Sequence, residues 1–140
     1  MQGLFLEDLS VGQSADLVRT VGEADIIAFA AVTGDNNPVH LDADYAATTS
    51  FGERIAHGML SAGYISAVIG TQLPGPGAIY LSQALRFKRP VKIGDEVTAR
   101  ATITEIDEAK ARVTLATVCL VNGKPVVEGE ALIMVPRKAA

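Results

Sequence analysis

The sequence predicts an α+β fold: helices first, then long antiparallel strands that bury a central helix. Three observations carry this. The run Ala56 to Ile69 is apolar or small throughout, and after His57 no formally charged side chain appears until Arg86. Beyond Leu73-Pro74-Gly75-Pro76-Gly77 the hydrophobic period changes from helical to two. Asn122-Gly123 then stands between two alternating runs, a strong signal for a tight hairpin.

In chain order, Leu4 to Leu9 reads as a short lead-in, and Gln13 to Val21 as a strand. Helical pattern begins near Gly22. Its start is either a capping box of Thr20 with Glu23, or Gly22 as cap with Asp25 as first-turn acid. Ile26, Ile27, Phe29, Ala30 and Ala31 give a broad apolar face that ends at Gly34. Leu41 to Ala46 starts a short helix with acids in its first turn, and Thr48 to Glu53 is a loop. A helix over Ala56 to Ile69 has no charged face and is expected to be enclosed all round. Its small residues Ser61, Ala62, Gly63, Ser66 and Ala67 let other backbone approach closely. Ala78 to Lys88 is a strand, with Pro90 at its end where a missing N–H is tolerated. Val97, Ala99, Ala101 and Ile103 alternate with Thr98, Arg100, Thr102 and Thr104; Val113, Leu115, Thr117, Cys119 and Val121 alternate in the next strand. Val126 to Val135 closes what reads as a meander. One face of that sheet must cover the uncharged helix. Such a sheet needs curvature and protected edges, and joining edges with a second copy would protect them.

Composition narrows the function. A chain of 140 residues suits one domain with one core, residues 1–140. A net charge of −4 favours neither nucleic acid nor an anionic membrane as partner. Cys119 is the only cysteine, so no internal disulfide forms and no Cys/His cluster suggests zinc or another metal. Met1 to Asp8 carries Glu7 and Asp8 and no basic region, and so does not read as a signal peptide. No apolar run is long enough to span a bilayer. The expectation is a soluble cytoplasmic domain.

Chemistry concentrates in Thr33-Gly34-Asp35-Asn36-Asn37-Pro38-Val39-His40. An acid and an imidazole lie five residues apart, a spacing that a continuous helix would place on different faces. Pro38 prevents that helix and pushes Asn37 towards an extended conformation. The resulting turn can bring Asp35 and His40 towards one point. On local chemistry alone a plain helix stop explains the stretch equally well, with Gly34 as C-cap, Asp35 and Asn36 as turn residues and Pro38 as breaker.

Phe29 through His40 resembles the signature of the MaoC-like (R)-specific enoyl-CoA hydratases. Ile55-Ala56-His57-Gly58-Met59-Leu60 is similar to the start of that family's central helix. The runs Ile79-Tyr80-Leu81, Leu85 to Val91 and Gly94-Asp95-Glu96-Val97 also match, so the resemblance covers nearly the whole chain in order. The short, single-domain forms that supply polyhydroxyalkanoate synthesis look most similar. The resemblance implies the hot-dog fold, a curved antiparallel sheet wrapped around a long helix and paired as a homodimer. It implies reversible addition of water to a trans-2-enoyl-CoA to give an (R)-3-hydroxyacyl-CoA, with no metal or redox cofactor, coenzyme A being part of the substrate.

The residue types suit that reaction. Attacking water loses a proton, C2 gains one, and the thioester oxygen carries enolate-like charge in between. The matching positions are Asp35 as base towards water and His40 as its partner and candidate proton donor; interacting groups titrate as a pair, so the two roles are interchangeable. Gly58, at the helix start, is the candidate oxyanion-binding amide. Asn37 matches the motif's Asn and is expected to hold the turn in shape. His57 could shape the turn, cap a neighbour or touch substrate, the structural role being the stronger, and Ser61 could assist substrate or simply be a small helix residue. Lys88, Arg89 and Lys92 form a basic cluster that could meet coenzyme A phosphates or be solvated strand-end residues. Two other readings stay open: another hot-dog enzyme, either an acyl-carrier-protein dehydratase or a thioesterase, or a non-catalytic subunit of a heteromeric dehydratase. The order Asp-x-Asn-Pro-x-His favours hydratase over the first, and retention of Asp35 and His40 argues against the second.

Overall fold

The computed structural model describes residues 1–139. After a short 3-10 turn at Leu6–Asp8 come strand β1 (Ser14–Thr20), helices α1 (Glu23–Thr33), α2 (Pro38–Leu41), α3 (Ala43–Ala47) and α4 (Gly58–Thr71), and strands β2 (Ile79–Phe87), β3 (Glu96–Asp107), β4 (Arg112–Val121) and β5 (Lys124–Met134). The strands form one five-stranded antiparallel sheet in the order β1-β3-β4-β5-β2. Register shifts at Tyr80/Ser82, Ile103/Glu105 and Cys119/Leu120 break the ladders. Bulges of this kind bend a strand and increase its twist. The sheet curves around α4, which packs on β1, β3, β4 and β5. This is the hot-dog fold.

The alternation read in the sequence is the burial seen in the fold. Val97, Ala99, Ala101 and Ile103 of β3, and Val113, Leu115, Thr117 and Cys119 of β4, all face the core. Asn122 and Gly123 both take positive φ, 52° and 75°, as a tight β4–β5 hairpin requires. At α1 the Gly22 alternative holds: its N–H donates to Asp25 Oδ2 at 2.8 Å. Cys119 is buried against α4, its Sγ 3.4 Å from the Ser61 carbonyl oxygen, and burial pushes its thiol up to about 12.

Four expectations are corrected. The sheet is not a simple meander: only β3-β4-β5 follow one another, whereas β2 leaves α4 and pairs with β5 at the far edge. Alternation within a strand defines its faces but not its neighbours, so this crossover is not encoded locally. The helix predicted over Ala56 to Ile69 begins two residues later, at Gly58, and the Ala56 N–H is tied instead to the Val91 carbonyl at 2.7 Å. Nor is α4 enclosed all round. Ser61, Ile65, Val68 and Ile69 are buried, but Met59, Gly63, Ser66 and Gly70 are exposed. One sheet covers one side of a helix, and within a single chain the other side stays open. The α1 face is likewise narrower than predicted: Ile26 and Ala30 are buried while Ile27 and Ala31 are exposed.

Candidate active site

The Thr33–His40 segment is both a helix stop and a built turn. Gly34 closes α1 in the left-handed region, φ 81°, with its N–H on the Ala30 carbonyl. From there, side chains at alternate positions take up the free backbone N–H groups. Thr33 Oγ1 accepts from Asp35 N–H (3.1 Å), Asp35 Oδ1 from Asn37 N–H (3.4 Å), and Asn37 Oδ1 from Val39 N–H (3.1 Å). These are the local side-chain-to-backbone bonds that Thr, Asp and Asn favour in turns. Pro38 does not end structure here; it is the first residue of α2, where its fixed φ suits a helix start and its missing N–H costs nothing. Asn37 is the N-cap of that helix and lies exposed, its side chain engaged in capping.

Helix α2 carries His40 inward. The imidazole is buried, and its Nδ1 lies 2.8 Å from the Ile55 carbonyl oxygen. A carbonyl can only accept, so Nδ1 carries the proton and Nε2 of the neutral ring is left as a lone pair. The His40 backbone carbonyl is held by Arg54 Nε at 2.7 Å, and Arg54 is itself paired with Glu23 at 2.8 Å. His57 stacks on His40 with ring centroids 3.9 Å apart and planes tilted by 31°. Its Nε2 donates to the Asp35 backbone oxygen at 2.9 Å. Each of Asp35, His40 and His57 offers one side-chain donor atom, and these atoms lie within 4.8 Å of one another. Asp35 is exposed and both histidines are buried. A carboxylate and two imidazoles are donor types that hold divalent metals. As the rings stand, each has one nitrogen on a backbone carbonyl, which leaves the other nitrogen of each ring for proton transfer.

A cavity of about 310 Å³ opens beside this group. Of the sequence-predicted residues, His40, His57, Gly58 and Ser61 line it, and Asp35 and Asn37 do not. His57 is the N-cap residue of α4 but gives it no side-chain hydrogen bond. The Leu60 N–H bonds back to the His57 carbonyl at 3.0 Å, and the Gly58 and Met59 amides are left uncapped by that side chain, at the positive end of the helix dipole. The opposite wall includes Phe87: a Cβ built on Gly58 would lie 2.7 Å from that ring. Only glycine fits there without moving Phe87.

The sequence reading missed Phe87, Phe51 and Arg54. The aromatics complete the apolar walls of the cavity, where Lys88 and Arg89 also stand. Lys88 pairs with Glu128 at 3.0 Å, Arg89 donates to the Pro125 carbonyl at 3.0 Å, and Lys92 pairs with Glu53 at 3.5 Å. A signal for Arg54 was present: it is the only cation between Arg19 and Arg86, in a segment that also holds several acids.

A curved sheet around an uncharged helix, with an Asp–His pair at the helix's amino end, defines a hot-dog protein with a polar site beside an apolar cavity. The chain belongs to the MaoC-like domain family, whose model matches residues 8–123. It is 58% identical over 134 residues to the (R)-specific enoyl-CoA hydratase of Rhodospirillum rubrum, covering 96% of this chain and 93% of that protein. Among solved structures it superposes on the unliganded R-hydratase PhaJ1 of Pseudomonas aeruginosa with a TM-score of 0.92 and 54% identity, covering 97% and 88% of the two chains. The (R)-hydratase of A. caviae involved in PHA biosynthesis gives a TM-score of 0.90 at 48% identity, covering 93% of this chain and 99% of that one.

Proposed function

We propose that this protein is an (R)-specific enoyl-CoA hydratase acting through Asp35 and His40. The observation that carries the proposal is their juxtaposition: a carboxylate and an open imidazole nitrogen share a site with the uncapped start of α4. The kinship to (R)-hydratases supports the same reading. Water held between Asp35 and His40 Nε2 gives its oxygen to C3 of the trans-2-enoyl thioester and one proton to the pair. The C2=C3 electrons move onto the thioester oxygen, which the Gly58 amide stabilises. Return of a proton to C2 from the same side completes a syn addition, and the reverse sequence dehydrates the (R)-3-hydroxyacyl-CoA. Asp35 is the base towards water in this scheme. The proton that Asp35 takes passes to the open Nε2 of His40 and from there to C2, while Nδ1–H of His40 stays on the Ile55 carbonyl. Asn37 holds the turn, Ser61 forms part of the wall, and Lys88 and Arg89 are candidates to meet coenzyme A phosphates.

The chain is expected to act as one domain in the cytoplasm, with no metal or redox cofactor and no nucleic-acid or membrane partner. Among the described residues no helix is long and apolar enough to cross a membrane. The active form is a homodimer. Exposed apolar side chains along the β2 edge (Ile79, Tyr80, Leu81, Phe87) and Met59 on the open side of α4 support this, because a second copy would bury both at once. Light scattering at micromolar concentration should give twice the chain mass; a monomer contradicts it.

The functional test is hydration of crotonyl-CoA with chiral analysis of the product. (R)-3-hydroxybutyryl-CoA without release of free thiol is expected. Free coenzyme A would indicate a thioesterase, and turnover confined to acyl-carrier-protein thioesters would indicate the dehydratase reading.

A further inference from the structure

His57 is 2% exposed and stands one residue before α4. It touches three parts of the site at once. Its Nε2 reaches the Asp35 backbone oxygen, its ring packs on His40 at a 31° tilt, and its own backbone carries directly into Gly58. Phe29 packs near the ring with centroids 4.6 Å apart, the planes tilted by 41°. The other nitrogen, Nδ1, is buried and has no hydrogen-bond partner among the described residues. Leaving a buried polar atom unpaired is unfavourable, and an apolar ring of the same size would avoid it. An imidazole that accepts this penalty is explained by what its second nitrogen does.

We infer that His57 is a positioning residue for the reaction. The Nε2–H···O bond to Asp35 pins the carboxylate-bearing turn against the His40 ring, and the same residue sets where the Gly58 amide begins. Carboxylate, imidazole and oxyanion donor are thereby fixed to one rigid group contributed by α4. The kinetic half of this inference rests on the hydratase reading above.

Two replacements separate positioning from space-filling. His57→Gln keeps an N–H donor of similar reach and loses the ring. His57→Phe keeps a flat ring and loses the donor. If positioning is the role, Phe lowers kcat by about tenfold to a hundredfold, the order that small misplacements of reacting groups cost. KM for crotonyl-CoA stays within about threefold on the same grounds of conserved binding contacts, and Gln restores most of kcat. Amide hydrogen exchange in the Asp35–Asn37 turn rises in the Phe variant and not in the Gln variant. If the ring only fills space, Phe is the benign change and Gln the damaging one, and that order would overturn the inference. A variant-free measurement accompanies these: long-range 15N–1H spectra of the parent protein should show His57 protonated on Nε2 and His40 on Nδ1. The opposite tautomer at His57 would also overturn it. Failure of the parent to hydrate enoyl-CoA would instead remove the hydratase reading, while exchange and tautomer data would still decide whether His57 holds the Asp35 turn.

Discussion

Helix α4 has one composition and two different ends. At its carboxyl end the following backbone takes up two of the final carbonyls: Gln72 and Leu73 N–H donate to Val68, and Gly75 N–H to Ile69. Val68, Ile69 and Leu73 there are 0–2% exposed. At its amino end Gly58 and Met59 are exposed, no side chain of the N-cap residue bonds back to the helix, and a cavity opens. Every helix leaves unpaired groups at both termini. Here the following backbone closes part of one set, while the Gly58 and Met59 amides of the other stand beside an acid and an imidazole. The carboxyl end therefore carries stability and the amino end carries chemistry, although nothing in the helix's own polarity distinguishes them.

That division can be broken by substitutions that should affect one property and not the other. The largest effect is expected at the amino end. Asp35→Asn and His40→Ala should each lower crotonyl-CoA turnover by about a hundredfold to ten-thousandfold, the range for lost acid–base catalysis. The Asn side chain retains the oxygen that accepts from Asn37 N–H, so the melting temperature of the first variant should stay close to the parent's. At the carboxyl end, Ile69→Ala should cost about 2–5 kcal/mol of stability, as large-to-small changes in a packed core do. It should leave turnover of the folded enzyme within about twofold, since no contact made only in the transition state is removed. Denaturant melts and initial rates on the same samples check both.

Smaller effects sharpen the comparison. Gly58→Ala should lower kcat/KM by about tenfold to a hundredfold through misplacement at the site, because its Cβ meets the Phe87 ring; adding Phe87→Ala should recover part of the loss. A Gly58→Ala enzyme with parental kcat/KM would show that the two walls are not close in solution. The smallest effect belongs to Cys119, which faces the closed side of α4. A thiol pushed up to about 12 by burial is almost entirely protonated near neutrality and is a poor nucleophile. Iodoacetamide should leave native enzyme unlabelled and fully active, and should label it once unfolded; rapid native labelling would mean the sheet side of α4 opens.

The closed half of the molecule was largely legible in the sequence because its signals are periodic and local. Residues two apart in β3 and β4 share a face, Asn122-Gly123 specifies its own turn, and Gly34 ends its own helix. The placement of β2 was not legible, since a strand's alternation does not name its neighbour. The open face of α4 was misread as enclosed, since a lack of charge implies burial without saying whether the cover comes from the same chain. At the site, Asp35, His40 and Gly58 stood out through their motifs. The bond from His57 to the Asp35 backbone spans 22 positions, and the meeting of Phe87 with Gly58 depends on β2 reaching the far edge of the sheet. Neither has a local signature. Asn37 illustrates the limit from the other side: its residue type marks it as important, and its geometry gives it to the backbone.

The measurement that bears most directly on Asp35 and His40 as one catalytic unit is the double variant Asp35→Asn/His40→Ala, assayed for crotonyl-CoA hydration beside the two singles at matched folded fraction. Groups that act on the same water lose their function together, so the double variant should fall little further than the worse single. Losses that multiply would place the two residues in independent roles. A stable Asp35→Asn protein with parental turnover would contradict the assignment outright and leave the Thr33–His40 segment as a helix stop.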